Sequence, residues 1–146
     1  GALLLATMLA VSAFGASRAF ALPRAVTLEA IHQIENPHDV TRPGPRGELG
    51  AYQFRAMTWA QHSRRPFADA LDRRWSDEVA VRHYDWLCER LMRNGLEPSV
   101  YNLALAWNAG LSAALRGRAP RRSHDYALRV GNIAGDLHQG TLLAAK

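Results

Sequence analysis

Apolar side chains recur at helical spacing along most of the chain. Leu28, Ile31 and Ile34 lie three residues apart, which places them on one face of a short helix predicted over residues 27–35. Pro37 ends this helix, because a proline pushes the residue before it out of the helical conformation. The pattern therefore predicts one short amphipathic helix over residues 27–35 that ends at an acidic residue, Glu35.

Four further helices are predicted from the same periodicity and from capping residues. They cover residues 54–62, the stretch from Ser76 to Asn94, the stretch from Pro98 to Gly110, and the stretch that begins at Ser123. Ser76 and Ser123 are predicted as N-caps, and Pro98 is predicted in the first turn of its helix.

The segment between the first two helices, residues 36–50, is rich in proline and glycine. This composition predicts a loop that holds a brief hairpin at most. No strand of period two and no internal repeat is visible elsewhere. The chain is therefore predicted to be a single, mainly α domain.

The first 21 residues differ from the rest in composition. Residues 2–14 are almost entirely apolar, and Ala19-Phe20-Ala21 fits the small-x-small pattern that signal peptidase cleaves. The apolar run is shorter than the roughly 20 residues that a membrane span needs. We therefore expect residues 1–21 to be a signal peptide without its initiator Met and charged start. Residues 22–146 would then form the exported domain, periplasmic or secreted, with no membrane span after cleavage.

Composition and charge exclude several other classes. Hydrophobic residues make up 48% of the chain and charged residues 21%, which is typical of a globular protein. The single cysteine, Cys88, excludes an intramolecular disulfide framework, and the six histidines have no metal-site spacing. The net charge of +5 suits an anionic partner, but no nucleic-acid-binding motif is present. We expect no cofactor, no metal and no nucleic-acid partner.

Glu35 is the residue that most resembles a catalytic group. It closes the first helix beside apolar side chains, where the helix dipole and desolvation both disfavour a negative charge. Both effects raise the pKa of a carboxyl group, as a general acid near neutral pH requires. On these residues alone, a surface carboxylate at a helix end remains the alternative interpretation.

The residues downstream of Glu35 carry a family resemblance. Gly47-Glu48-Leu49-Gly50-Ala51-Tyr52-Gln53-Phe54 is followed by Thr58, later by Asn108-Ala109-Gly110, and finally by Tyr126. In this order and spacing the chain resembles the lysozyme-like soluble lytic transglycosylase family over roughly residues 28–132. The resemblance implies a single lysozyme-like helical domain of the goose type, with a Pro/Gly-rich active-site loop.

The resemblance also implies an activity. Glu35 would act as general acid and then base on the β-1,4 bond between N-acetylmuramic acid and N-acetylglucosamine in peptidoglycan. Tyr126 would donate its hydroxyl to Glu35. The implied substrate-binding residues are Gln53, Asn108, Tyr126, Tyr52 and Glu48. The enzyme would act as a monomer on peptidoglycan strands.

Departures from the family pattern leave alternatives open. Asn36 stands where the family usually has Ser, which also fits a domain that binds peptidoglycan without cleaving it. If Glu48 faces the cleft, it would activate water and make the protein a hydrolysing lysozyme. If it faces solvent, it is one charge on a loop. Gln53 and Asn108 can also be read as helix-end caps, and Tyr126 as a core residue.

Overall fold

The computed structural model describes residues 22–146, and the predicted signal peptide lies outside the described residues. The described chain is mainly α, as predicted. Its helices are α1 (Arg24–Glu35), α2 (Ala56–His62), α3 (Arg73–Arg93), α4 (Val100–Ala109), α5 (Leu111–Leu115) and α6 (Arg121–Ala144). A 3-10 turn, Phe67–Leu71, precedes α3.

Helix α4 lies at the centre of the packing. Its sequence is apolar on nearly every side, which is typical of a buried helix. It packs against α6, and α6 packs in turn against α1. Ala104 of α4 and Ala127 and Ala134 of α6 are fully buried, and their small side chains allow the two helix backbones to approach closely. This packing places the last residue of α1 beside the first turns of α6.

Two predicted N-caps are wrong. Helix α3 begins four residues earlier than predicted, because the Asp72 carboxylate accepts a 2.9 Å hydrogen bond from the Arg74 backbone N–H. Ser76 therefore lies inside the helix, where it is buried. Helix α6 begins after Pro120, so Ser123 lies in its first turn and is also buried.

The start of α4 also differs from the prediction. Ser99 is its N-cap and accepts a 3.1 Å hydrogen bond from the Asn102 backbone N–H. Pro98 therefore lies outside the helix instead of in its first turn. Gly110 ends α4 as expected, with a φ of +88°, and Gly95 follows the end of α3 with a φ of +75°.

The loop between α1 and α2 contains the brief hairpin that its composition allowed. Leu49 and Phe54 form an antiparallel bridge with two backbone hydrogen bonds of 3.0 Å. Gly50 begins the turn with a φ of +80°, and a β-carbon there would lie 1.8 Å from the Ala70 carbonyl oxygen. Only glycine fits at this point, where the loop packs against the 3-10 turn.

None of the helices in residues 22–146 is long and apolar enough to span a membrane.

Candidate functional site

Glu35 and Tyr126 form a partly buried hydrogen bond between two helices. The Tyr126 hydroxyl donates to Glu35 Oε1 at 2.8 Å, which is the contact that the resemblance implied. Tyr126 is buried in the first half of α6, while Glu35 is the last residue of α1 and half-buried. The packing of α1 on α6 therefore fixes one oxygen of the carboxyl group.

The surroundings of Glu35 favour its protonated form. Burial raises the pKa of Glu35 above its ordinary value of 4.5, and the negative charge of Glu48 raises it further. The hydrogen bond from Tyr126 acts in the opposite direction but does not cancel burial. Burial also raises the pKa of Tyr126 well above 10, so its phenol remains a donor. At a pH where an ordinary carboxyl group is largely ionised, a larger fraction of Glu35 therefore still carries the proton that a general acid donates.

Two cavities meet at Glu35, and we call them together the Glu35 cleft. The first cavity has a volume of about 300 Å³, within the range of small-molecule sites. Its lining residues are Glu35, Pro45, Arg46, Glu48, Tyr52, Gln53, Phe54, Arg55, Thr58, His83, Trp107 and Asn108. The second cavity shares Glu35, Pro45 and Gln53 with the first and continues past Arg42. Five of the six residues predicted for the site line the cleft, and Tyr126 lies behind Glu35.

Asn36 ties the residue after Glu35 to the loop. Its side-chain amide donates to the carbonyls of Val40 at 3.0 Å and Gly50 at 3.1 Å. Its carbonyl oxygen accepts from the Val40 backbone N–H at 2.8 Å. Asn36 is buried, so these bonds satisfy a side chain that would otherwise be costly to bury. The residue that departs from the family pattern therefore has a structural role beside Glu35.

Gln53 shares the Gly50 carbonyl with Asn36. Its Nε2 donates to that oxygen at 3.0 Å. Gln53 has a φ of +50°, which is uncommon for a residue with a β-carbon and costs conformational energy. A β-carbon on Gly44 would lie 2.9 Å from Gln53 Oε1, so the loop backbone approaches the amide closely. The Gln53 side chain is therefore held at the junction of the two cavities rather than capping a helix.

Glu48 lines the cleft, and one of its carboxylate oxygens is hydrogen-bonded to the backbone of its own loop. Its Oε2 accepts a 2.8 Å hydrogen bond from the Arg46 backbone N–H. Burial pushes the pKa of Glu48 upward, but hydrogen bonds from backbone N–H groups and the charges of Arg55 and Arg46 outweigh it. The pKa of Glu48 therefore lies below 4.5, opposite in direction to that of Glu35.

Tyr52 contributes its ring to the cleft wall. Its hydroxyl donates to Asp77 Oδ1 at 2.6 Å, on α3. The ring is buried against Trp107, with 6.2 Å between ring centroids, and against Phe54, with 5.8 Å. Any contact of Tyr52 with a bound molecule is therefore made by the ring, because the hydroxyl is already bonded to Asp77.

Asn108 lies in the last turn of α4 and is exposed on the cleft. Its Oδ1 accepts a 2.7 Å hydrogen bond from Ser123 Oγ, in the first turn of α6. Within residues 22–146 its Nδ2 has no hydrogen-bond acceptor. The bond to Ser123 fixes which way the amide points, and Nδ2 remains free to donate to a ligand.

His83 is a cleft residue that the sequence interpretation missed. His83 is buried, lies 4.8 Å from the Trp107 ring, and shares a 2.9 Å hydrogen bond with His62. Burial and the neighbouring His62 lower the pKa of His83 to about 3. The helical spacing in the sequence could have indicated this burial, since His83 is four residues from both Val79 and Leu87 on the buried face of α3.

In the part of the chain that the structure describes, no three His, Cys, Asp or Glu side chains are grouped to hold a metal ion. The side chains that line the cleft can form hydrogen bonds, transfer protons and stack through their aromatic rings. Comparisons of the chain with protein-family models, with curated proteins and with solved structures find no match.

Proposed function

We propose that the protein is a peptidoglycan-cleaving lytic transglycosylase with a lysozyme-like domain. Glu35 is its general acid and base, and the bond cleaved is the β-1,4 bond between N-acetylmuramic acid and N-acetylglucosamine. The observation that carries the proposal is the pairing of a raised-pKa carboxyl with a buried tyrosine donor at the junction of two cavities. Perturbed carboxyls in clefts are typical of acid catalysts.

In the first step Glu35 protonates the glycosidic oxygen, and the bond from that oxygen to the anomeric carbon breaks. The anomeric carbon develops oxocarbenium character, as in glycosidase chemistry generally, and the acetamido group of the same sugar assists it. Glu35 is left as a carboxylate. In the second step it accepts the proton of the sugar's 6-hydroxyl, whose oxygen bonds to the anomeric carbon. The product is an anhydro sugar, no water is consumed, and Glu35 is protonated again.

The neighbours of Glu35 suit this scheme. The Tyr126 hydroxyl holds the carboxyl in place in both protonation states, because a phenol donates to a neutral or an ionised carboxyl. Asn108 Nδ2 and the Gln53 amide oxygen are available for the acetamido and hydroxyl groups of the sugar. The rings of Trp107 and Tyr52 offer an apolar wall.

A hydrolysing lysozyme that uses Glu35 and Glu48 is the second candidate. It is favoured by the lowered pKa of Glu48, an ionised carboxylate that lines the same cavity as Glu35. Against it, one Glu48 oxygen already accepts from the Arg46 backbone. A domain that only binds peptidoglycan is less well supported, because Asn36 bonds firmly to the loop and leaves the surroundings of Glu35 ordered.

Peptidoglycan lies outside the cytoplasm, so the proposal includes export to the periplasm or the medium. The predicted signal peptide, residues 1–21, would direct it, with cleavage before Leu22. The partner of the monomeric mature domain is the glycan strand. N-terminal sequencing of the mature protein tests this part.

Mass spectrometry of digested peptidoglycan tests the activity. We expect wild type to release fragments with anhydro ends, and Glu35→Gln to lose about 10²–10⁴-fold in rate while still binding sacculi. The matched control is Glu97→Gln, the same substitution at an exposed loop residue outside both cavities. Reducing ends, lost in both Glu35→Gln and Glu48→Gln, would identify the hydrolase instead. Equal cleavage by wild type and Glu35→Gln would contradict both enzymatic candidates.

A further inference from the structure

Arginines line both cavities of the Glu35 cleft. Arg46 and Arg55 line the cavity that holds Glu48 and Asn108, and Arg42 lines the second cavity. All three side chains are exposed. Within residues 22–146, none of the three forms an ion pair. The guanidinium groups at the cleft are therefore available to a ligand.

Several exposed arginines on the helices are, by contrast, already paired. Arg24 lies 2.8 Å from an Asp85 oxygen, and Arg73 lies 2.7 Å from an Asp77 oxygen. Each of these pairs neutralises its charge on the protein itself. Arg46 and Arg55 differ, because their charges lower the pKa of Glu48 without either of them forming an ion pair with it.

The positive charge in this cavity is not neutralised by direct contacts. Arg46 and Arg55 line it together with Glu35 and Glu48, but within residues 22–146 neither guanidinium group lies within ion-pair distance of a carboxylate. The raised pKa of Glu35 reduces the negative charge beside them, which leaves positive charge available to a ligand. An N-acetylhexosamine backbone carries no charge and would gain nothing from it. A carboxylate would gain, because guanidinium groups match carboxylates in geometry and charge.

We propose that Arg46 and Arg55 form a carboxylate-binding site on the rim of the Glu35 cleft, which selects glycan strands whose muramic acid carries a carboxylate substituent. The carboxylate belongs either to the lactyl ether or to the attached stem peptide. This inference rests on the proposed function and deepens it, because it makes the protein selective for substituted strands over neutral hexosamine polymers.

Neither arginine side chain is needed for the loop fold. Arg46 bonds to Glu48 through its backbone N–H, which a substitution leaves in place. Arg55 precedes α2 without a side-chain capping bond. The double variant Arg46→Gln/Arg55→Gln should therefore fold normally, which a thermal melt verifies. Its control is Arg116→Gln/Arg118→Gln, which removes the same charge from the loop between α5 and α6, outside both cavities.

Binding is measured in a Glu35→Gln background, so that no cleavage interferes. The three probes are a neutral N-acetylglucosamine oligomer, a stem-free glycan with a free lactyl carboxylate, and a stem-bearing glycan. We expect the Arg46→Gln/Arg55→Gln change to raise Kd about tenfold for carboxylate-bearing probes and to leave the neutral oligomer unchanged. Weakening on the stem-free probe alone assigns the free lactyl carboxylate, and weakening on the stem-bearing probe alone assigns a carboxylate of the peptide. Weakening on both shows that the site accepts either carboxylate.

Equal weakening on all three probes, or weakening matched by the Arg116→Gln/Arg118→Gln control, would overturn the site. With active enzyme we expect the double variant to raise KM for its preferred strand with little change in kcat. A lowered kcat with a shifted pH profile and unchanged KM would show that the arginines act only on Glu48, which also overturns the proposal. If wild type cleaves nothing, the proposed function fails while the binding experiment still tests the arginines.

Discussion

Tyr126 and Glu35 are 91 residues apart in the chain, and the phenol donates a 2.8 Å hydrogen bond to the carboxyl group. This contact requires that α1 and α6 both pack as they do, since each residue lies on a different helix. The bond lowers the pKa of Glu35 while burial raises it. Tyr126 therefore affects both the position and the acidity of the proposed catalytic group.

Tyr126→Phe removes this hydrogen bond without changing the ring. Because the bond lowers the pKa of Glu35, its loss should raise that pKa, and the alkaline limb of the pH–rate profile should move to higher pH. We expect kcat to fall roughly tenfold or more from the lost positioning, with about 1 kcal/mol of destabilisation.

The matched control is Tyr101→Phe. Tyr101 bonds to His124 at 2.5 Å, outside both cavities, so this variant loses a comparable hydrogen bond away from Glu35. Its pH profile should equal that of wild type. An unshifted profile for Tyr126→Phe would contradict the role given to the phenol.

The long helices could be predicted from the sequence because their apolar stripes extend over several turns. The 3-10 turn Phe67–Leu71 and helix α5 were missed, since five residues are too few to show a helical period. The N-cap of α3 was misplaced because Asp72 and Ser76 are both good capping residues, and only the geometry selects Asp72.

The candidate site could be predicted only in part. Glu35 could be singled out by its place at a helix end, but its bond to Tyr126 depends on the packing of distant helices. Asn36 appeared only as a departure from the family pattern, because no local signal reveals a bond to the Gly50 carbonyl fourteen residues away. Glu48 could be placed in the loop, whereas its bond to the Arg46 N–H depends on the turn.

Asn36 should be important for both stability and turnover. Asn36→Ala removes three hydrogen bonds and leaves the backbone groups of Val40 and the buried carbonyl of Gly50 without this partner. We expect a loss of about 1–3 kcal/mol in the free energy of unfolding, measured by urea denaturation, together with a lower kcat. Asn94→Ala is the control, since Asn94 is exposed at the end of α3. A fully active, equally stable Asn36→Ala would contradict the role of this residue.

Gln53 allows stability and function to be separated. Its φ of +50° is strained for any residue with a β-carbon but is easy for glycine. Gln53→Gly should therefore be about 1 kcal/mol more stable than Gln53→Ala in thermal or urea unfolding. Both variants lose the amide at the cavity junction, so both should lose turnover to a similar extent. If either variant kept full activity, Gln53 would be a residue of the turn and not of the site.

The lowered pKa of His83 predicts that the domain loses stability in mild acid. Its pKa is lowered to about 3 in the folded protein, by burial first and by His62 second, from an ordinary 6.5. The unfolded chain therefore binds more protons than the folded one between pH 6.5 and 3, so stability falls as the pH drops through this range. From pH 7.5 to 5 this histidine should lower the free energy of unfolding by on the order of 2 kcal/mol, which is 1.4 kcal/mol for each pH unit below about 6.5.

Urea unfolding of wild type and His83→Gln at both pH values measures this loss, with His38→Gln at an exposed loop position as control. We expect His83→Gln to be less stable than wild type at pH 7.5, since it loses its packing against Trp107, but to lose much less on acidification. An equal acid-induced loss in wild type and His83→Gln would show that other groups account for it.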